Sequence, residues 1–222
     1  INASSGNNIV WGDDAPTSDE LNPHELNIGG NDTLSALGGN DLFYAGGGND
    51  SVSPGAGDDW IHGGYGNDQL SGSSGNDRIY GAQGNDTISG DVGDDFLSGG
   101  DGDDRLYGRD GNDVLIGGDG VDLVDGGNGN DLVLAAITTY QGTSDTATSN
   151  TYNSAVDAAM LALLVAWNSG GPVAANLTHT DDLDRDTVYG GSGNDLFGTH
   201  TNADPLTSDI RGDFNNSQDT SL

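Results

Sequence analysis

The sequence contains no cysteine, no lysine and only two glutamates, Glu20 and Glu25. Without cysteine there are no disulfide staples and no thiol chemistry. The basic side chains are five arginines, set against 36 acidic residues, for a formal net charge of −31. A surface of that sign repels phosphate backbones and anionic headgroups, which argues against nucleic acid or an anionic membrane as partner. The longest apolar run, residues 158–167, is too short to span a bilayer. The four histidines, His24, His62, His179 and His200, build no metalloprotease motif, because His24-Glu25 lacks its second histidine. No G-x-S-x-G nucleophile elbow occurs either. The chain does not read as an enzyme, and its many carboxylates read as ligands or solvated turns.

Glycine is abundant, with 39 residues, and it falls in a pattern with aspartate. Residues 27–134 repeat one nine-residue phrase twelve times; a clear copy is Gly63-Gly64-Tyr65-Gly66-Asn67-Asp68-Gln69-Leu70-Ser71. Aspartate recurs at every ninth position: Asp32, Asp41, Asp50, Asp59, Asp68, Asp77, Asp86, Asp95, Asp104, Asp113, Asp122 and Asp131. A glycine stands two residues before each: Gly30, Gly39, Gly48, Gly57, Gly66, Gly75, Gly84, Gly93, Gly102, Gly111, Gly120 and Gly129. A large apolar residue stands two after each, from Leu34 to Val133. A flexible glycine-rich linker would not place a large apolar residue at every ninth position. The first six positions read as a turn and the last three as a short strand whose central residue points opposite to its neighbours. Each turn reverses the chain, so two phrases make one coil and copies eighteen residues apart stack.

The phrase resembles the G-G-x-G-x-D-x-U-x nonapeptide of the RTX, or hemolysin-type calcium-binding repeat, family, a calcium-binding parallel β-helix. The resemblance covers about half of the chain. It implies an all-β fold, a parallel β-roll (a right-handed β-helix of nonapeptide repeats). It implies Ca2+ between successive stacked turns, held by the twelve aspartates and the repeat glycines, with Asp195 in a later copy. Five gaps on each side of six stacked turns would take about ten ions or more. Ten ions would cancel 20 of the negative charges and leave about −11. A fold that depends on its metal follows. An EF-hand is excluded, since its loop has about twelve residues and ends in glutamate. The family is exported, so the resemblance also implies a secreted, extracellular or cell-surface protein of bacterial origin that folds on meeting calcium.

The remaining segments read as additions to this block. Residues 1–26 read as an N-terminal cap, with Val10, Trp11, Leu21 and Leu26 blunting the open end of the roll. Residues 135–180 break the phrase, and Tyr152 to Trp167 read as an inserted α-helix, 152–167, with Val156, Met160, Leu163, Leu164 and Trp167 on one face. The helix is expected to lie on the roll near Val114–Leu134. Residues 181–207 return to a second, short, degenerate roll. There Asp195 has a full turn, while Asp186 and Asp204 lack the glycines before them. Residues 208–222 form a polar tail.

The outward strand positions divide the surface. One face shows Thr33, Ser35, Ser51, Ser53, Gln69 and Ser71; the other shows Leu42, Tyr44, Trp60, Tyr80 and Phe96. An apolar face of that size implies self-association or a protein partner. The expected function is a calcium-folded structural or interaction protein that assembles outside the cell, as a surface layer, matrix fibre or adhesin. The alternative is a calcium-triggered folding and secretion module of a larger exported toxin or enzyme. A third reading is glycan stacking on Tyr44, Trp60 and Tyr80.

Overall fold

The computed structural model describes residue 2 and residues 8–11, 29–134, 138–140, 177–179, 187–193, 196–198, 210–211 and 220–221. The helix expected at 152–167, and also Leu21, Leu26, Asp186, Asp195 and Asp204, lie outside the described residues.

The described residues form a parallel β-solenoid, with about six turns between Thr33 and Leu134. One sheet stacks Ile9–Trp11, Leu42–Gly47, Trp60–Tyr65, Arg78–Gln83, Phe96–Asp101, Val114–Asp119, Leu132–Leu134, Leu196–Gly198 and Thr220–Ser221. The second stacks Thr33–Ser35, Ser51–Ser53, Gln69–Ser71, Thr87–Val92, Arg105–Asp110, Leu123–Asn128, Thr187–Ser192 and Ile210–Arg211. The chain alternates between the two sheets, one phrase on each, which is the β-roll that the doubled nonapeptide demands. Register follows the eighteen-residue step: Leu42 pairs with Trp60, and Trp60 with Arg78.

The apolar position of every phrase is inside. All twelve residues, from Leu34 through Phe43, Ile61, Ile79, Leu97 and Leu115 to Val133, are at most 2 % exposed. Each such burial stabilises by about 1.5–3 kcal/mol. One core side chain per nine residues is a thin core, so the turns must be held by something besides apolar contact.

At the N-terminal end Ile9–Trp11 extends the first sheet, with Val10 paired to Phe43 and buried beside it. At the other end the roll resumes after the insertion: Val124 pairs with Val188 and Leu132 with Leu196. The insertion leaves and returns through an antiparallel pair, Thr138–Tyr140 against Leu177–His179. The next pairing departs from the nonapeptide step. Val188 is beside Arg211, five residues beyond the position where an eighteen-residue step would bring Leu206.

The two outer faces differ as their sequences do. Thr33, Ser51, Gln69 and Thr87 are exposed. On the first sheet Tyr44, His62 and Tyr80 stack in a column with ring centroids 6.4 and 6.2 Å apart, and Trp60 sits 6.3 Å from Tyr80. Leu42, Tyr44, Trp60 and Tyr80 are half-buried, but Phe96 is buried and so drops out of the exposed face. Val114, Leu132 and Leu134, further along the same face, are buried as well.

Candidate metal centre

Each repeat aspartate closes a turn and faces the aspartate of the adjacent coil. The two columns run along the two edges of the roll. In one, the backbone N–H of Asp32 donates to Asp50 Oδ1, Asp50 to Asp68, Asp68 to Asp86, Asp86 to Asp104 and Asp104 to Asp122, all within 2.7–2.8 Å. In the other, Asp41 donates to Asp59, and the chain of bonds continues through Asp77, Asp95 and Asp113 to Asp131. Asn8 heads this second column, its backbone N–H donating to Asp41 Oδ1 at 2.6 Å.

These carboxylates are out of water: from Asp41 to Asp131 none is more than 3 % exposed, while Asp32 at the open end is half-buried. In Asp41, Asp59, Asp68, Asp77, Asp86, Asp95, Asp104 and Asp113 the second oxygen, Oδ2, is buried and accepts no hydrogen bond. A buried charge without a partner is costly. The acidities respond accordingly. Burial pushes Asp59 up to about 6, Asp68 to about 7, and Asp77, Asp86, Asp95, Asp104 and Asp113 to about 8. The hydrogen bond at Oδ1 opposes the rise, and the neighbouring carboxylates of the column reinforce it.

The space in front of Oδ2 has a definite lining. A methyl added to Gly63 would stand on Asp68 Oδ2 and 2.8 Å from the carbonyl of Gly81, one coil further on. The same space lies at Gly72, Gly81, Gly90, Gly99 and Gly108, each against Oδ2 of the aspartate five residues later. Carboxylate and, at all of these but Gly90, carbonyl oxygens from successive coils thus converge beside a glycine Cα, an approach that a side-chain carbon would block. That donor set, all hard oxygens with one carboxylate per coil, fits calcium. Among the described residues no group of three or more His, Cys, Asp or Glu side chains converges, so the carboxylates enter one at a time with backbone oxygens beside them.

The glycines singled out by the nonapeptide pattern do a different job. From Gly39 to Gly129 all eleven have positive φ, between 121° and 155°. Their carbonyls form their own column: the Gly48 carbonyl lies where a methyl on Gly66 would go, and the same holds from Gly30 under Gly48 to Gly129 under Gly193. A side chain there meets both strain and backbone.

Two features were not singled out in the sequence. One is the role of the glycine five residues before the aspartate in the copies from Asp68 on, as at Gly63. The other is a ladder at the residue just before each aspartate: Asn49 N–H donates to Asn31 Oδ1, Asn67 to Asn49, Asn85 to Asn67 and Asp103 to Asn85, at 2.9–3.1 Å. The matching ladder on the other edge runs Asn40, Asp58, Asn76, Asp94, Asn112, Asn130. Its signal was available, since eleven of twelve copies carry Asn or Asp at that position and Val121 is the exception.

No curated protein matches the chain. The RTX calcium-binding nonapeptide repeat matches in four copies, over residues 28–61, 62–97, 98–133 and 181–198, which together exceed half of the sequence. With its stacked carboxylates and its glycine-opened oxygen spaces, the chain belongs to the RTX calcium-binding nonapeptide repeat family.

Proposed function

We propose that this chain is an exported structural module that stays unfolded without calcium and folds when calcium is supplied outside the cell. One observation carries the reading. Two columns of buried aspartates, Asp68, Asp86 and Asp104 on one edge and Asp77, Asp95 and Asp113 on the other, eighteen residues apart in sequence and one coil apart in space, present Oδ2 atoms that accept no hydrogen bond. Left ionised they repel one another, and the thin core cannot offset that. Asp68, Asp77, Asp86, Asp95, Asp104 and Asp113 are the assigned carboxylate ligands, with the carbonyl of the next coil's glycine beside each space, as Gly81 is for Asp68. Bound calcium supplies the positive charge that lets these side chains remain ionised and close together. The protein contributes the alignment: as the coils close, Oδ1 is fixed by the neighbouring backbone N–H and Oδ2 is left to face the ion.

Light scattering coupled to size-exclusion chromatography, with circular dichroism on the same fractions, tests the reading. An expanded monomer in chelator that becomes a compact β-rich species in millimolar calcium is the expected result. A chain that remains folded in chelator defeats it.

A second reading, extracellular assembly, is favoured by the half-buried Tyr44 and Tyr80 stacked on either side of the buried His62, with half-buried Trp60 beside them. Dimers or filaments appearing only with calcium, and lost in Trp60→Ser, would support it. A monomer at every concentration would remove it.

A further inference from the structure

The glycine that opens each oxygen space is not present in every copy. It stands five residues before the aspartate from Asp68 to Asp131, but the three copies ending at Asp41, Asp50 and Asp59 carry Ala36, Ala45 and Pro54 there. These three side chains are not solvent-facing substitutes. Ala36 and Ala45 are buried and belong to the same apolar cluster as Leu34, Phe43 and Val52. Pro54 is buried too. Where the later copies let Oδ2 and the next coil's carbonyl close in on a bare glycine Cα, the early copies carry a side-chain carbon that holds such oxygens apart. A methyl or a pyrrolidine ring brings no lone pair, and at calcium–oxygen distances of about 2.3–2.6 Å there is no spare volume for it.

The N-terminal end of the column carries a second, independent departure. Asn8 takes the aspartate's place in the first coil of its sheet, one position before the strand Ile9–Trp11. Its backbone N–H and its side-chain Nδ2 both donate to Asp41 Oδ1, at 2.6 and 3.0 Å. The first carboxylate of this column is therefore met by a neutral double donor rather than by another carboxylate.

We infer that calcium enters the roll only from Gly63 onward, and that the coils carrying Ala36, Ala45 and Pro54 close on apolar contact and the Asn8 amide without it. The inference rests on the calcium-folding reading above and refines which coils obey it. Six glycines, Gly63, Gly72, Gly81, Gly90, Gly99 and Gly108, open onto an Oδ2 among the described residues, so the roll up to Leu134 takes about six ions instead of ten. The molecule then has a polarity: a metal-independent start, and a calcium-responsive body stacked on it.

Ion counting on the full chain tests this, by native mass spectrometry or metal analysis after desalting from calcium. The native chain is expected to hold about six ions plus the one or two that residues beyond 134 could add. Ala36→Gly combined with Ala45→Gly and Pro54→Gly should gain up to about three. Gly63→Ala should lose one, as a methyl closes the first open space. Ten or more ions in the native chain, or a triple variant that folds and gains none, overturns the inference while leaving calcium-driven folding intact. A native chain that holds no calcium overturns both. The native count alone decides the matter if the triple variant does not fold.

Discussion

The backbone N–H of Asp50 donates to Asp68 Oδ1 at 2.8 Å, while Asp68 Oδ2, equally buried, accepts nothing. One oxygen of the same carboxylate is committed to the protein and the other is held in reserve. Replacing Asp68 by asparagine separates these roles, since the amide oxygen can keep the Asp50 bond while the reserved position becomes an NH2 group. In calcium, Asp68→Asn should bind one ion fewer and weaken the adjoining gaps by about tenfold or more. In chelator the same variant should be no less structured than the native chain, because a buried charge has gone. Calcium titrations followed by circular dichroism check both halves; a variant with native calcium response would show that Oδ2 is not a ligand.

The raised pKa values give a pH dependence with opposite signs in the two metal states. Burial holds Asp68 at about 7 and Asp77, Asp86, Asp95, Asp104 and Asp113 at about 8, from an ordinary value of 3.8. The metal-free roll thus binds more protons than the unfolded chain. Its stability is fully present below about pH 4 and is lost as pH rises through 7 to 8. In chelator, β-structure should therefore increase on acidification from pH 8. In calcium the protons compete with the ion, so the calcium midpoint should rise between pH 8 and pH 6, with protons released on binding near neutrality. Titrations in buffers of different ionisation enthalpy measure that release. A midpoint independent of pH would contradict the geometry.

Glycine positions within one phrase should respond differently to the same methyl. Gly99 has no left-handed φ, though its added methyl would press on the Asp104 carboxylate and the Gly117 carbonyl. Gly102 has φ of 128° and would push into the Gly84 carbonyl. Gly99→Ala should lose one ion and cost less stability in saturating calcium than Gly102→Ala, which meets a carbonyl at the same distance and adds roughly 1–2 kcal/mol of backbone strain. Conversely Ser73, a non-glycine residue at φ of 75°, should gain about 1 kcal/mol on replacement by glycine. Chemical denaturation in saturating calcium gives these values.

Much of this architecture could be read from one period. A nine-residue spacing of Asp with an apolar residue two places later placed all twelve core side chains, and the doubled phrase placed both sheets. What escaped was set by contacts between coils. The pattern that marked Gly66 and Gly63 alike as glycine could not say that one sits beneath a carbonyl and the other beside a carboxylate. The Asn31–Asn49–Asn67 ladder left its mark in the sequence as a repeated Asn or Asp, but only stacking shows that those residues bond one another. Beyond Leu134 the step weakens: the spacing kept at Asp204 and Leu206 would put Leu206 over Val188, but the pairing falls on Arg211.

The outward side chains Val114 and Leu132 are buried although the matching positions on the opposite sheet, Thr33, Ser51 and Thr87, are exposed, and Leu134 is buried where its counterpart Ser53 is exposed. We expect the insertion at 135–180 to cover them, with its 152–167 segment as the cover. The antiparallel pair offers a clean excision, because Tyr140 and Leu177 are register partners at the insertion's base. Joining them through a two-residue Asn-Gly turn removes residues 141–176 and leaves the pair as a hairpin. The shortened chain should still fold in calcium, since Leu132–Leu134 and Leu196–Gly198 can pair as before. It should now expose an apolar strip, bind a hydrophobic dye in calcium and self-associate at concentrations where the full chain does not. Mutating Leu132 and Leu134 to threonine in the shortened chain should abolish that association. If the shortened chain remains monomeric and dark to the dye, the insertion does not cover this face.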